Sequence, residues 1–347
     1  MKIHALSLGR TKVPFGQFYG GLAGWEGLRA FFHFVSDKSH FIWVPIHAYL
    51  LEHPKEGLVL FDAGICSDQA HRHSQYYSGI LRMVLDEDEY AQEPHETLAE
   101  QLRRLGFRCE DVRTVVLTHL HEDHVGGLRD VPKAKVVVSQ AEWDARYMRL
   151  FGFLPMFYEP SYSFVQNWQR VAFDSGAYLS FDRSQDLFGD GSVRLLPTPG
   201  HTPGHLCALV EMAGYQLLVT GDCVYTLRHL ATRQVQAVRF SRASGAQQTE
   251  SIGRIAELRK RLPDLHLLVT HDHTDYQWKH LVPGLAKGGF DEAERRALAQ
   301  YEAGLFDGDA TLRPSALPRF QPDPKGGRVG TVSEPTGAAQ ERVGATA

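Results

Sequence analysis

Cysteine is scarce in this chain of 347 residues: four occur, Cys66, Cys109, Cys207 and Cys223, and no two form a C-x-x-C pair. That spacing argues against a disulfide framework and against a thiolate zinc site. Cys223 stands beside Asp222, but strand alternation would turn it to the opposite side, so it is read as structural. The chain also lacks an apolar run long enough to cross a bilayer. Nor does it carry an excess of one charge: 37 Lys and Arg stand against 41 Asp and Glu, for a formal net charge of −4. The basic residues are scattered and leave no nucleic-acid footprint. The opening run from Met1 to Gly9 reads as a first strand and has neither the apolar region nor the cleavage site of a secretory leader. The expectation is a cytoplasmic protein whose partner is a small molecule, not nucleic acid or membrane, with a homodimer left open.

Histidine is what the chain concentrates. The run His119-Leu120-His121-Glu122-Asp123-His124 follows the β-branched stretch from Arg113 to Thr118, which reads as a buried strand, and precedes Gly126-Gly127. It therefore belongs on a strand-to-helix loop, where a rigid scaffold holds functional groups. Neutral imidazoles and carboxylates suit zinc and other divalent ions, and alternation lets His119 and His121 face one centre while Asp123 and His124 face another. With 18 His in the chain, most must be ordinary, so the inference needs company. It comes from three further strand ends. The run from Val193 to Pro197 leads to His201, that from Tyr215 to Thr220 leads to Asp222, and that from His266 to Thr270 leads to His271. Five His and two Asp suffice for two adjacent divalent ions if Asp222 bridges them, zinc being the first candidate among zinc, cobalt, iron and manganese.

The order and spacing of these residues resemble the metallo-β-lactamase superfamily, with its H-x-H-x-D-H run followed by distant H, D and H. The resemblance implies one metal on His119, His121 and His201, a second on Asp123, His124 and His271, and Asp222 shared. Asp62, ending Leu58-Val59-Leu60-Phe61-Asp62-Ala63-Gly64, matches the superfamily's early Asp-x-Gly element and is read as a carboxylate that orients a ligand loop, with a cap or turn as the alternative. Within the superfamily the chain looks most similar to N-acyl-homoserine lactonases. Val44 to Leu51, Thr118 to His124, Thr198 to His205 and Asp222-Cys223-Val224-Tyr225 carry that likeness, Tyr225 falling three residues after the bridging Asp. It runs from about Lys2 to about Asp272. The long aromatic segment before Ile42 and the residues beyond His271 depart from it.

The chemistry implied is hydrolysis of an N-acyl-homoserine lactone by attack of a metal-bridging hydroxide. A water shared by two divalent ions has its pKa lowered to roughly 7. Asp123 and Tyr225 are the expected catalytic residues: Asp123 would carry a proton to the departing alkoxide, and the Tyr225 hydroxyl would serve the oxyanion. Other hydrolases of the same scaffold, acting on thioesters, phosphodiesters, sulfate esters or other lactones, stay open as alternatives, as does a mono-iron sulfur dioxygenase.

Two β-rich halves, each followed by helix, are expected. Strands fall near 2–9, 42–52, 57–62, 114–118 and 135–139, then near 193–197, 205–212, 215–221 and 266–270. Helices are placed at about 96–105, from 141 onward, at 250–262 and at 291–303. This order fits an αβ/βα four-layer sandwich in one domain, 1–304. Residues 305–347, rich in Gly, Pro, Ala, Thr and charge, read as a flexible tail. Two aromatic stretches, Phe15 to Trp43 and Phe151 to Trp168, are read mainly as core, with some members expected to line an acyl-chain groove.

Overall fold

Strand alternation decides which residues face which layer, and two sheets follow from it. The computed structural model describes residues 1–19, 40–150, 152–232, 235–236, 241–272, 276–306 and 319–333. In the first sheet, β1 (Lys2–Pro14), β2 (Phe41–His53) and β3 (Gly57–Phe61) form an antiparallel meander, running from Lys2 opposite Glu52 and from His53 opposite Gly57. The short β4 (Tyr90–Ala91) adds to β1. Then β5 (Val112–Val116) and β6 (Lys135–Ser139) join in parallel to β3. A small hairpin of β7 (Arg149–Leu150) and β8 (Leu154–Pro155) intervenes before β9 (Trp168–Val171) closes that side. The second sheet has the order β10 (Gln185–Asp186), β11 (Val193–Pro197), β12 (Leu206–Met212), β13 (Tyr215–Gly221) and β14 (Leu265–Val269).

Period-two patterning separates the layers. Val59, Phe61, Val116 and Val137 point inward to a core shared with Leu195, Leu206, Ala208 and Leu217 of the second sheet. Their neighbours Leu58, Leu60, Val115, Val136 and Val138 face outward and are covered by Leu98 and Leu102 of the helix Leu98–Arg104, which is capped by the Thr97 side chain. On the far side the helix Arg242–Arg261 carries Ile252, Ile255 and Leu258 onto the shared core. Ser241 caps its start, and Arg259, Lys260 and Arg261 occupy its last turn before Pro263. This helix links β13 to β14, which are parallel and so need a crossover. The architecture is the expected four-layer sandwich of helix, sheet, sheet and helix.

Several expectations shift in detail. The helix foreseen at 250–262 begins at Arg242, and that foreseen at 291–303 spans Glu292–Phe306. The expectation of a flexible tail from 305 does not hold for 319–333. There β15 (Arg319–Gln321) and β16 (Val329–Ser333) form a hairpin whose Val329 and Gly330 pair in parallel with Phe41 and Ile42 of β2. Polar, glycine-rich composition suggested a tail, but the free edge of β2 supplies backbone partners that composition does not encode. Residues 307–318 and 334–347 lie outside the described residues, as do Trp25, Phe31, Phe32 and Phe34 of the first aromatic stretch. Among the described residues no helix is long and apolar enough to cross a membrane.

Candidate metal centre

All seven predicted ligands converge where the strands of both sheets end. His119, His121, Asp123 and His124 follow β5, the last two on the one-turn helix Glu122–Val125. His201 follows β11, Asp222 follows β13 and His271 follows β14. Gly221 makes the approach of β13 possible. Its φ is +48°, and a Cβ there would lie 2.6 Å from Thr118 Cβ, so no other residue allows Asp222 so near the histidine loop.

Two groups of donors result: His119, His121 and His201 with Asp222, and Asp123, His124 and His271. In the first, Nε2 of His119, Nδ1 of His121 and Nε2 of His201 lie 2.9–3.1 Å from one another. A tetrahedral ion with bonds of about 2.0–2.1 Å has donor-to-donor edges of roughly 3.3–3.4 Å, so these nitrogens already stand close to coordination spacing. Asp222 divides its oxygens. Oδ2 is 3.2 Å from His201 Nε2 and 3.9 Å from His119 Nε2, while Oδ1 is 3.3 Å from Nε2 of both His124 and His271. Asp123 completes the second group, 3.4 Å from His271 and 3.8 Å from His124.

The outward-facing nitrogens show why the inward ones are free. His119 Nδ1 meets Thr118 Oγ1 at 3.0 Å, and that hydroxyl donates to Asp62. His124 Nδ1 lies 2.8 Å from Asp62 Oδ2, and His271 Nδ1 lies 2.8 Å from the Pro45 carbonyl. His201 Nδ1 lies 2.6 Å from Gln236 Oε1. Each acceptor holds a proton on the outer nitrogen, so the inner nitrogen is the one turned to a metal. Among the described residues His124 Nε2 and Asp222 Oδ1 are buried with no hydrogen-bond partner, a costly state for polar atoms unless a cation is there to bind them. The donor set therefore fits divalent metal.

Titration favours the same reading for the first group. Burial, reinforced by neighbouring histidines, pushes His119 and His121 well below the usual imidazole range, and burial lowers His201. In the second group burial also acts downward, but Asp222 and other carboxylates overcome it and raise His124 and His271. Burial would lift Asp222, yet His271, His124 and His201 hold its carboxyl well below the ordinary range.

Asp62 sits at φ +57°, a left-handed position that a non-glycine residue keeps only when its surroundings demand it. Its carboxylate takes the Thr118 N–H at 2.8 Å, the Thr118 hydroxyl and the His124 ring, which is the ligand-orienting part foreseen for it. Three other residues of the site were not singled out by sequence reasoning. His205 Nε2 accepts the Asp222 N–H at 3.0 Å. Glu142, fully buried, accepts from Leu120 N–H, Thr202 Oγ1–H and Gly204 N–H at 3.0, 2.8 and 2.9 Å, tying together the loops that carry His121 and His201. Its burial pushes the carboxyl up to about 7 despite those donors. Gln236 is the third. His205 lies in a motif already noted, whereas Glu142 and Gln236 follow no pattern that would mark them.

Tyr225 lies 3.3 Å from His201 Nδ1, and its hydroxyl donates to Gln236 Oε1 at 2.7 Å. Phe18 stacks on its ring with centroids 4.3 Å apart. Both border a cavity of about 260 Å³ that opens on His121, Asp123, His201, Asp222 and His271. Its apolar wall is mostly aliphatic, with Leu81, Val84, Leu85, Leu154 and Met156. Of the aromatic side chains in the two stretches Phe18 reaches this wall among the described residues, Met156 joins it there, and Phe153 is exposed. Cys223 packs in the shared core, away from the metal-ligand groups.

Comparison with known proteins follows the same line. The family model of the metallo-beta-lactamase superfamily matches residues 42–277. The chain is 28% identical over 234 residues to the N-acyl homoserine lactonase AttM of Rhizobium johnstonii, covering 62% of this chain and 78% of that protein. It is 31% identical over 258 residues to the probable metallo-hydrolase Rv2300c of Mycobacterium tuberculosis, covering 67% and 76%. A solved N-acyl homoserine lactone hydrolase, bound to the product N-hexanoyl-L-homoserine at its catalytic metal center, superposes with a TM-score of 0.61. It shares 20% identity with this chain, the match spanning 81% of this chain and 97% of that one, so the likeness is one of fold.

Proposed function

Because the chain belongs to the metallo-beta-lactamase superfamily, we propose that it is a dinuclear metal hydrolase, zinc foremost, that opens the lactone ring of N-acyl-homoserine lactones in the cytoplasm. The observation that carries this reading is the division of Asp222, one oxygen toward each histidine group, beside an apolar cavity. The relatives named as lactonases supply the substrate class. Under this reading His119, His121 and His201 would hold one ion and Asp123, His124 and His271 the other, with Asp222 placed between the two groups.

When bound, such a pair supplies a water of pKa roughly 7 and polarises a carbonyl. The chain's own groups do the rest. Asp123, on the cavity wall, carries the proton released from water to the ring oxygen as the acyl C–O bond breaks, giving the hydroxy acid. Tyr225 donates to Gln236 at 2.7 Å instead of holding its hydroxyl proton for the oxyanion as expected from the sequence, and so acts from beside His201 as a positioning residue for that side chain. Leu81, Val84, Leu85, Leu154 and Met156 receive the acyl chain, each buried methylene contributing about 0.8 kcal/mol.

The test is a pH-stat or mass-spectrometric assay of metal-analysed protein against acylated homoserine lactones, an unacylated γ-lactone, a thioester and a phosphodiester, with Asp222→Ala as control. Preferential opening of acylated lactones supports the reading. Turnover of the thioester or phosphodiester with lactones left intact overturns it.

A further inference from the structure

Gln236 is 4% exposed and lies on the wall of the metal cavity. Its Oε1 receives two contacts, from His201 Nδ1 at 2.6 Å and from the Tyr225 hydroxyl at 2.7 Å. Donor and acceptor chemistry fixes which end of the amide is which. His201 Nε2 turns toward His119 and His121, so the ring proton sits on Nδ1 and its partner must be an oxygen. The amide nitrogen is then the other end. Among the described residues it makes no hydrogen bond to protein, and the residue borders the cavity beside His201 and Asp222.

The Tyr225 proton is committed to Gln236, so the tyrosine does not present a free donor to the cavity. Gln236 borders the cavity with its oxygen already taken by His201 and Tyr225, which leaves its amide N–H for a ligand. We propose that the Gln236 side-chain N–H donates to the lactone carbonyl oxygen and stays bonded to it as that oxygen becomes anionic, a deepening of the lactonase reading on which it rests. No bond to the nitrogen breaks, and the proton remains on the amide throughout. Tyr225 and His201 act through it: both donate into Oε1, hold the amide plane still, and polarise it so that the opposite N–H donates more strongly. A preset donor of this kind is effective because it needs no reorganisation when charge develops.

Two variants separate the donor from its surroundings. Gln236→Glu keeps an oxygen for His201 and Tyr225 but removes the donor. Gln236→Met removes donor and acceptor alike without adding charge. Assays at saturating zinc use an acylated homoserine lactone and an unacylated γ-lactone, with zinc content and the visible spectrum of the cobalt-substituted protein recorded in parallel. Both variants are expected to lose about 10²–10³-fold in kcat on both lactones with little change in KM. Gln236→Glu should keep its zinc and its cobalt spectrum, while Gln236→Met should bind zinc roughly 10–100-fold more weakly. The proposal is overturned by a kcat for either variant within a few-fold of wild type. A loss in Gln236→Glu alone, which would be a charge effect, overturns it equally. So does a loss confined to the acylated substrate, which would place the contact on the acyl amide. Wild-type protein that opens neither lactone removes the lactonase reading itself, whereas active wild type with unaffected variants removes only the part assigned to Gln236.

Discussion

Replacing Asp62 with Asn changes one atom and tests how the outer contacts hold the metal ligands. Asn tolerates the left-handed backbone at this position, so the loop itself should persist. The carboxylate has two faces. Oδ1 takes the Thr118 N–H at 2.8 Å, and Oδ2 takes the His124 ring at 2.8 Å and the Thr118 hydroxyl at 2.9 Å. A backbone N–H cannot become an acceptor, so the amide oxygen must stay on the Oδ1 side and the new NH₂ group must meet His124 Nδ1. The imidazole can answer only by moving its proton to Nε2, the atom that points at Asp222. Binding a metal there would then require the proton to return to Nδ1 and face a second donor. One such buried conflict costs about 1–3 kcal/mol, equivalent to roughly 5–150-fold in affinity. This range overlaps the 10–100-fold typical of lost contacts behind metal ligands. Under the proposed two-ion reading, titration with a chromophoric chelator should show binding at the group of His124, Asp123 and His271 weakened by that factor. The ion held by His119, His121 and His201 should change less, because the amide oxygen still serves Thr118. Two zinc affinities both within twofold of wild type would refute the reasoning.

Three further outcomes follow from the contacts of the site. Glu142→Gln leaves one of three donors without an acceptor, and the mildest orientation sacrifices the Leu120 N–H at 3.0 Å. The expected loss is about 1–3 kcal/mol of stability, read as a lower urea midpoint with unchanged slope, and an unchanged midpoint would count against the clamp. Proton release on metal binding should differ between the two groups at pH 7. His119, His121 and His201 are lowered and already neutral, whereas His124 and His271 are raised and must give up protons. Calorimetry in buffers of different ionisation enthalpy should therefore find release mainly with one of two equivalents, and equal release would contradict this. The stability of metal-free protein has the opposite sense. A proton held more tightly by folded His124 stabilises the fold fully below pH 6.5, and this contribution is lost as pH rises through the raised value.

Strand patterns and the seven candidate ligand positions were legible in the primary structure because both are local. Val115 and Val116 alternate between layers within one strand, and the His119–His124 run carries its ligand chemistry in six consecutive residues. The four-layer architecture followed from the order of such segments and the resemblance they carry. Local patterns could not disclose which atoms stand behind the ligands. Gln236 acquires its meaning only when His201 and Tyr225, from the ends of different strands, both donate to its oxygen. Glu142 does so only when two loops close on it, and Pro45 only when β2 presents its carbonyl to His271. The β15–β16 hairpin likewise depends on an edge of β2 far away in the chain. Composition and periodicity report what a segment favours by itself. The direction of a hydrogen bond and the partner of a free strand edge are properties of pairs, and folding decides which pairs meet.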